Sequence, residues 1–268
     1  GTPPARTALL IEPYEGEDEF RGDTLLSADE FRDAFIKFDK MGVGVHVHAV
    51  ADGTIRAVVD ALEGMKAANG DSGVKHKIAH NMMITTEDIA RVAEMKDVNL
   101  DFSPHIPYPH PGIVSGYIPS VGKARHDRMF PVRTAIEAGI HVGHGSDWLT
   151  AQPTPNPFPA IEGFVTRKNP VQPELGTLNP DEAITLEQAL VVVTLGSARV
   201  LGADKTIGSI EKGKFADMIV LDQNLFEIKP TDIGDTKVMN TIVGGEVVYS
   251  RAVLGNEDFK TNKEPFSH

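Results

Sequence analysis

Three side chains in this sequence stand where chemistry could be done. His48 closes the apolar run GVGVHVHA, His80 closes KHKIAH, and Asp147 follows GIHVGHGS. A polar group at the end of a buried strand is costly to desolvate. Two imidazoles and a carboxylate converging on one point match a Zn²⁺ site that keeps positions open for water and substrate, and the cation would offset that cost. The chain has no cysteine, so disulfides and thiolate ligands are excluded and any metal must rest on His and carboxylate groups. The other histidines receive other expectations. His46 is expected to be structural and turned away from His48, and His76, His126 and His268 to be solvated. His105 and His110 lie in a loop that could cover the site and touch substrate, and His144 could support Asp147 from outside the ligand set. Asp52, in the Ala-Asp-Gly that follows His48, either orients that imidazole or caps the next helix. Phe102 and Trp148 are expected in the core.

The elements that must position these residues follow from periodicity. Ser27 with Glu30 reads as a capping box, followed by an apolar face of Phe31, Ala34, Phe35 and Phe38. Val43–Val47 reads as a buried strand, and Thr54 to Ala68 as a helix carrying Ile55, Val58, Val59, Leu62 and Met65 on one side. The cycle repeats with a strand at Ile78–His80, a helix at Thr86–Met95 and a strand at Val98–Phe102. A loop rich in Pro and His (103–120), a helix over Arg125–Ala138 and a strand at Ile140–Val142 come next. A second Pro-rich loop (151–159) precedes helices near Pro159–Arg167 and Thr185–Leu195. Alternation of this kind indicates parallel β-α units, four by this reading, and in such folds functional groups collect where strands end. Past residue 205 the segments GSIEKGKFADMIVLD and KVMNTIVGGEVVYS read as antiparallel hairpins with Gly turns, a small β appendage, and the last 15 residues as a polar, loosely held tail. The expected division is therefore 1–204 and 205–268.

Bulk properties exclude several classes. The 268 residues can bury a large core, and the hydrophobic share of 41% and charged share of 24% are ordinary for a globular chain. A net charge of −12 with no basic block argues against nucleic-acid binding. No apolar run approaches the roughly 18 residues of a membrane helix, so no membrane partner is expected. GTPPARTALL is not a signal peptide, but an export signal could stand on a preceding segment, so the compartment is left open, with the cytoplasm favoured. No G-x-S-x-G elbow supports a serine hydrolase, and no G-x-G-x-x-G or G-K-[ST] supports nucleotide binding.

The segments ALLIEPY, VHVHAVADG, KIAH, AGIHVGHGSDW, TLGSARVLG, GSIEKGKFADMIVLD and TIVGGEVVYS resemble the metal-dependent amidohydrolase superfamily, in the branch called amidohydrolase family 3, across about residues 1–250. The resemblance implies an α/β fold, a distorted TIM-like (β/α)₈ barrel with a small β-sandwich built from both chain ends. It implies His48 as the metal ligand on strand five, His80 on strand six and Asp147 on strand eight. It also implies hydrolysis of a C–N bond in an amide, N-acyl, formamide or cyclic amide by metal-activated water, with Asp147 as ligand and proton shuttle. Arg125 resembles a basic position of this branch, with a surface salt bridge as its ordinary use. The family's His-x-His on strand one and bridging lysine or acid on strand four have no counterpart here. The chain is therefore expected to be the C-terminal half of the barrel with part of the sandwich. It is expected to hold one or two divalent metals, Zn²⁺ first among them, the second needing ligands from elsewhere. An N-terminal half or partner chain would complete it, with a homo-oligomer as another assembly. The competing expectation is a non-catalytic amidohydrolase-like subunit without a complete metal site.

Overall fold

A computed structural model describes residues 1–103, 107–149 and 154–251. Helix α1 (Ala28–Lys40) starts where the sequence says: Ser27 Oγ accepts from Glu30 N, and Glu30 Oε2 accepts from Ser27 N at 2.9 Å. Strand β1 (His46–Ala49) begins three residues later than Val43, which lies on the surface. Helix α2 (Asp52–Asn69) then packs on α1, and Ile55, Val58, Val59 and Leu62 are buried as expected. Strand β2 (His76–His80), helix α3 (Thr86–Ala93) and strand β3 (Val98–Asp101) continue the alternation.

The following stretch departs from expectation. A helix α4 (Pro111–Val121) occupies most of the segment read as loop, opened by Pro111 in its first turn and by the His110 side chain accepting from Gly112 N. Proline suits that position because its missing N–H has no helical partner there. The helix expected over Arg125–Ala138 is two short ones, α5 (Lys123–His126) and α6 (Val132–Glu137). Pro131 separates them, since a residue before proline is pushed out of helical geometry, and Phe130 sits at φ 58°.

Strand β4 (Val142–Gly143) closes a four-stranded parallel sheet in the order β1-β2-β3-β4. Its register aligns His48 with Ala79, Ala79 with Asp101, and Asp101 with Gly143. Side chains alternate across a sheet. Ile78, Val98, Leu100 and Val142 therefore face the helices and are buried in the core, while His46, His48, Lys77, Ala79, Asn99 and Asp101 share the other face. Helices α7 (Phe158–Thr166), α8 (Leu186–Val191) and α9 (Ser197–Val200) follow, the last two joined by a π turn.

The C-terminal region forms a second, antiparallel sheet of β5 (Met218–Leu221), β6 (Val238–Val243) and β7 (Glu246–Ser250). The β6–β7 hairpin turns on Gly244 and Gly245, at φ 59° and 87°, the left-handed backbone such a tight turn requires. A 3-10 turn at Pro230–Asp235 docks on α7, where Glu162 Oε2 accepts from Gly234 N at 2.8 Å. The polar tail from residue 252 lies outside the described residues. No helix among the described residues is long and apolar enough to cross a membrane.

Candidate active site

A cleft of about 370 Å³ opens at the C-terminal ends of the parallel strands and is lined by His46, His48, Ala79, His80, Asp101, Ser103, Gly145 and Asp147. The three residues singled out by sequence thus share one cavity. Each reaches it differently. His48 points in from β1 by simple alternation. His80 is the last residue of β2 and by alternation belongs with Ile78 on the helix side. Its backbone instead turns left-handed, at φ 74°, followed by Asn81 at φ 50°, and swings the imidazole into the cleft. Asn81 holds this turn: it is buried, and its Nδ2 donates to Ile78 O at 2.6 Å and Asp101 O at 3.1 Å. Asp147 also has positive φ, 48°. Strained backbone gathering on site residues is a recognised signature of functional positions.

The His48 and His80 rings meet edge to face, 4.4 Å between centroids. His80 Nδ1 lies 3.2 Å from Ser103 O. Ser103 Oγ lies 3.3 Å from the same nitrogen and can donate or accept; the carbonyl can only accept, and a proton on Nδ1 satisfies it and leaves the Nε2 lone pair for an electrophile. Burial and the adjacent His48 push His80 below the ordinary histidine value, against the pull of Ser103 and Asp147. His48 Nε2 meets the Gly1 carbonyl at 3.3 Å.

Two lining residues escaped the sequence reading. His46 is in the cleft with His48, because residues two apart on a strand share a face. Its Nε2 stands 4.0 Å from Asp101 Oδ2. Burial and Lys77 lower its pKa. Asp101 ends β3 in the same register row as His48. Burial pushes its carboxyl up to about 6, with Lys77 opposing and the Asp147 charge adding to the rise. The signal for Asp101 was present: it closes a strand, as His80 does.

Other candidates lie elsewhere. Asp52 is not in the cleft with His48; it is the first residue of α2, whose N-cap is Ala51, and its carboxylate takes up a first-turn amide of that helix. Its Oδ1 accepts from Ile11 N at 3.1 Å and Gly53 N at 2.8 Å. Burial raises its pKa, and those N–H groups with Arg125 and Arg128 oppose the rise. Arg125 donates to the Glu12 and Pro13 carbonyls at 3.1 and 2.8 Å, tying the N-terminal segment down. Both line a separate cavity with Thr85 and Glu182. His144 is outside the cleft lining as well; its Nδ1 donates to Phe102 O and its ring edge packs on Phe164, bracing the end of β4. His105 and His268 lie outside the described residues.

Two further histidines correct the sequence reading. His76, expected in solvent, is 1% exposed and its Nε2 donates to Asp39 Oδ1 at 3.2 Å. His126 is also buried, with Nδ1 3.1 Å from Asp127. Trp148 is exposed rather than in the core, whereas Phe102 is buried as expected.

Two imidazoles and a carboxylate form a donor set that suits a borderline divalent cation. Among the described residues no three His, Asp or Glu side chains already stand in a metal-holding arrangement. His48 would hold a cation through Nε2 only by exchanging its Gly1 contact for it.

The sequence profile of the amidohydrolase family matches residues 1–249. Over 244 residues the chain is 28% identical to N-substituted formamide deformylase of Arthrobacter pascens, covering 89% of this chain and 42% of that protein. It is 26% identical over 236 residues to 5-methylthioadenosine/S-adenosylhomocysteine deaminase of Moorella thermoacetica, covering 82% and 49%. The crystal structure of an uncharacterized metal-dependent hydrolase from Pyrococcus horikoshii OT3 superposes with a TM-score of 0.70 at 26% identity, covering 86% of this chain and 44% of that one. The chain thus spans less than half the length of each of these relatives. With the profile running from the first residue through β7 and the strand ends meeting in one polar cleft, the chain belongs to the amidohydrolase family.

Proposed function

We propose that this chain carries half of the active site of a metal-dependent hydrolase of C–N bonds, the substrate being an amide, N-acyl compound, formamide or cyclic amide. His48, His80 and Asp147 would hold a divalent cation, zinc first. The observation that carries the reading is their meeting in one cleft, His80 through a backbone turned against the alternation of its own strand. Such a cation supplies Lewis acidity, drawing electrons from a carbonyl and acidifying water. Within this chain, the Ser103 carbonyl fixes the His80 proton on Nδ1 and leaves Nε2 to ligate. Asp147 takes the proton of the attacking water and returns it to the leaving nitrogen, so that an amine rather than an amide anion departs.

The proposed architecture is the C-terminal half of a barrel, residues 1–204, with part of a β-sandwich, residues 205–268, completed by a further polypeptide segment or partner chain. Support comes from the relatives' greater length and from two uncovered surfaces. One is the polar face of the parallel sheet. The other is the antiparallel sheet, where Val247 and Val248, neighbours on β7 and therefore on opposite faces, are each 61% exposed among the described residues.

The test is release of benzylamine from N-benzylformamide by the zinc-supplied protein. Asp147→Asn is expected to lower kcat by roughly 100-fold to 10,000-fold with zinc still bound through the two histidines. Turnover that survives Asp147→Asn, or that needs no divalent cation, contradicts the reading.

A further inference from the structure

The proposed chemistry uses His48, His80 and Asp147 and leaves a fourth group in the cleft without a task. Asp101 ends β3 in the register row that begins with His48. Its side chain is 15% exposed and the Ser103 side chain and the Gly145 backbone N–H bond to the carboxyl group, yet Oδ1 is buried with no hydrogen-bond partner among the described residues, and His46 Nε2 stands 4.0 Å from Oδ2, beyond hydrogen-bond length. Buried acceptors are seldom left without donors, and those that are mark strain or function. The wall opposite offers a backbone N–H but no side chain. Gly145 carries no side chain, and a Cβ there would stand 3.8 Å from Oδ2 and 3.9 Å from Oδ1, so ordinary contact distance separates the loop from both oxygens. A carboxyl group rotates about its Cβ–Cγ bond, so either oxygen can be turned to the cleft.

We infer that Asp101 is a specificity-determining residue that accepts a hydrogen bond from a substrate N–H, so that the site takes secondary amides and discriminates against N,N-disubstituted ones. The inference rests on the amide-hydrolase reading and adds the substrate class. Discrimination arises because a substrate without the N–H leaves one carboxylate oxygen desolvated and still unpaired, a much heavier penalty than a missing methylene. His46, on the same face, keeps the carboxylate's second oxygen near an imidazole rather than in water.

The experiment measures binding, independent of turnover, by ligand-observed NMR on the whole chain with two probes. N-benzylformamide has the N–H; N-benzyl-N-methylformamide lacks it. The wild-type chain is expected to prefer the first by at least about 10-fold in Kd. Asp101→Leu is expected to reduce the ratio to within about 2-fold, and Asp101→Asn, which keeps the shape but removes the charge, to below about 5-fold. Should Asp101→Leu fail to fold, the Asn variant decides. Equal affinities in the wild type, no binding of either probe, or a preference unchanged by both variants overturns the inference. An unchanged ratio in Asp101→Asn would mean that the extra methyl is excluded by bulk alone. Loss of zinc retention in Asp101→Asn also overturns it, by assigning the carboxylate to the cation. An N–H preference in the chain without benzylamine release by the completed, zinc-supplied assembly would sink the hydrolase reading instead, so the two failures are separable.

Discussion

At position 80 a single backbone angle decides whether an imidazole faces the helices or the cleft. Asn81 is the residue that holds it there, because asparagine tolerates left-handed backbone and its amide spans the ends of β2 and β3. Asn81→Ala removes both pins and is expected to weaken zinc binding by about 10-fold to 100-fold, the usual effect of losing a group that orients a ligand; isothermal titration would measure it. A second residue-scale prediction concerns the opposite end of the sheet. Asp39 accepts hydrogen bonds from Ser72, Asn69 and His76, which together outweigh burial and keep its pKa below the ordinary carboxylate value. His76 is held neutral chiefly by burial, its Nδ1 accepting from Val45 N. With the folded-state pKa depressed, the unfolded chain binds the proton first. The stability that neutral His76 contributes is therefore full above its unfolded value of about 6.5 and is lost as pH falls below it. The melting temperature should fall on acidification from pH 7.5 to 5.5, and less steeply in His76→Gln; an equal slope would refute the assignment. Asp39→Ala leaves the buried His76 Nε2 without its acceptor and takes one from half-buried Asn69 and exposed Ser72, and is expected to cost about 2–4 kcal/mol in chemical denaturation. His76 was misread from sequence because its partner lies 37 residues away, and a buried pair of this kind leaves no local signature.

At the scale of elements, what was legible was what is local. The capping box of α1, the apolar stripe of α2 and the paired glycines of the β6–β7 turn all announce themselves within a few residues. The failures involved competing local signals. Pro111 and Pro119 made α4 look like loop, although the first sits where a helix accepts proline. Pro131 was overlooked inside an otherwise helical pattern, and the chain breaks there. The late start of β1 has another cause: Val43 has the composition of a core strand, but no layer of the described chain covers it. The sheet itself depends on its helix-facing side. Ile78 and Leu100 are fully buried between sheet and helices, and Leu100→Ala is expected to cost about 2–5 kcal/mol, read as a lowered denaturant midpoint. A cost below about 1 kcal/mol would contradict the placing of this layer in the core.

The whole molecule has two unequal faces, and that asymmetry explains why the site was only partly readable. The side toward α2, α3 and α6 is packed like any globular interior, whereas the side bearing His46, His48, Lys77 and Asp101 is polar and open. Alternation places His46 on the face of His48, and the register sets Asp101 level with His48, but only the pairing of distant strands turns three separate strand ends into one cleft. The proposed completing segment would cover this face, and the intact protein isolated from its source is then expected to behave in sedimentation as a larger particle than the chain alone. The central claim is that His48, His80 and Asp147 act together on one divalent cation, and equilibrium dialysis against zinc tests it most directly. The wild-type protein should retain about one ion per chain, His48→Ala and His80→Ala should each lose it, and Asp101→Asn should keep it. Equal zinc retention by the wild type and the two histidine variants would contradict the account.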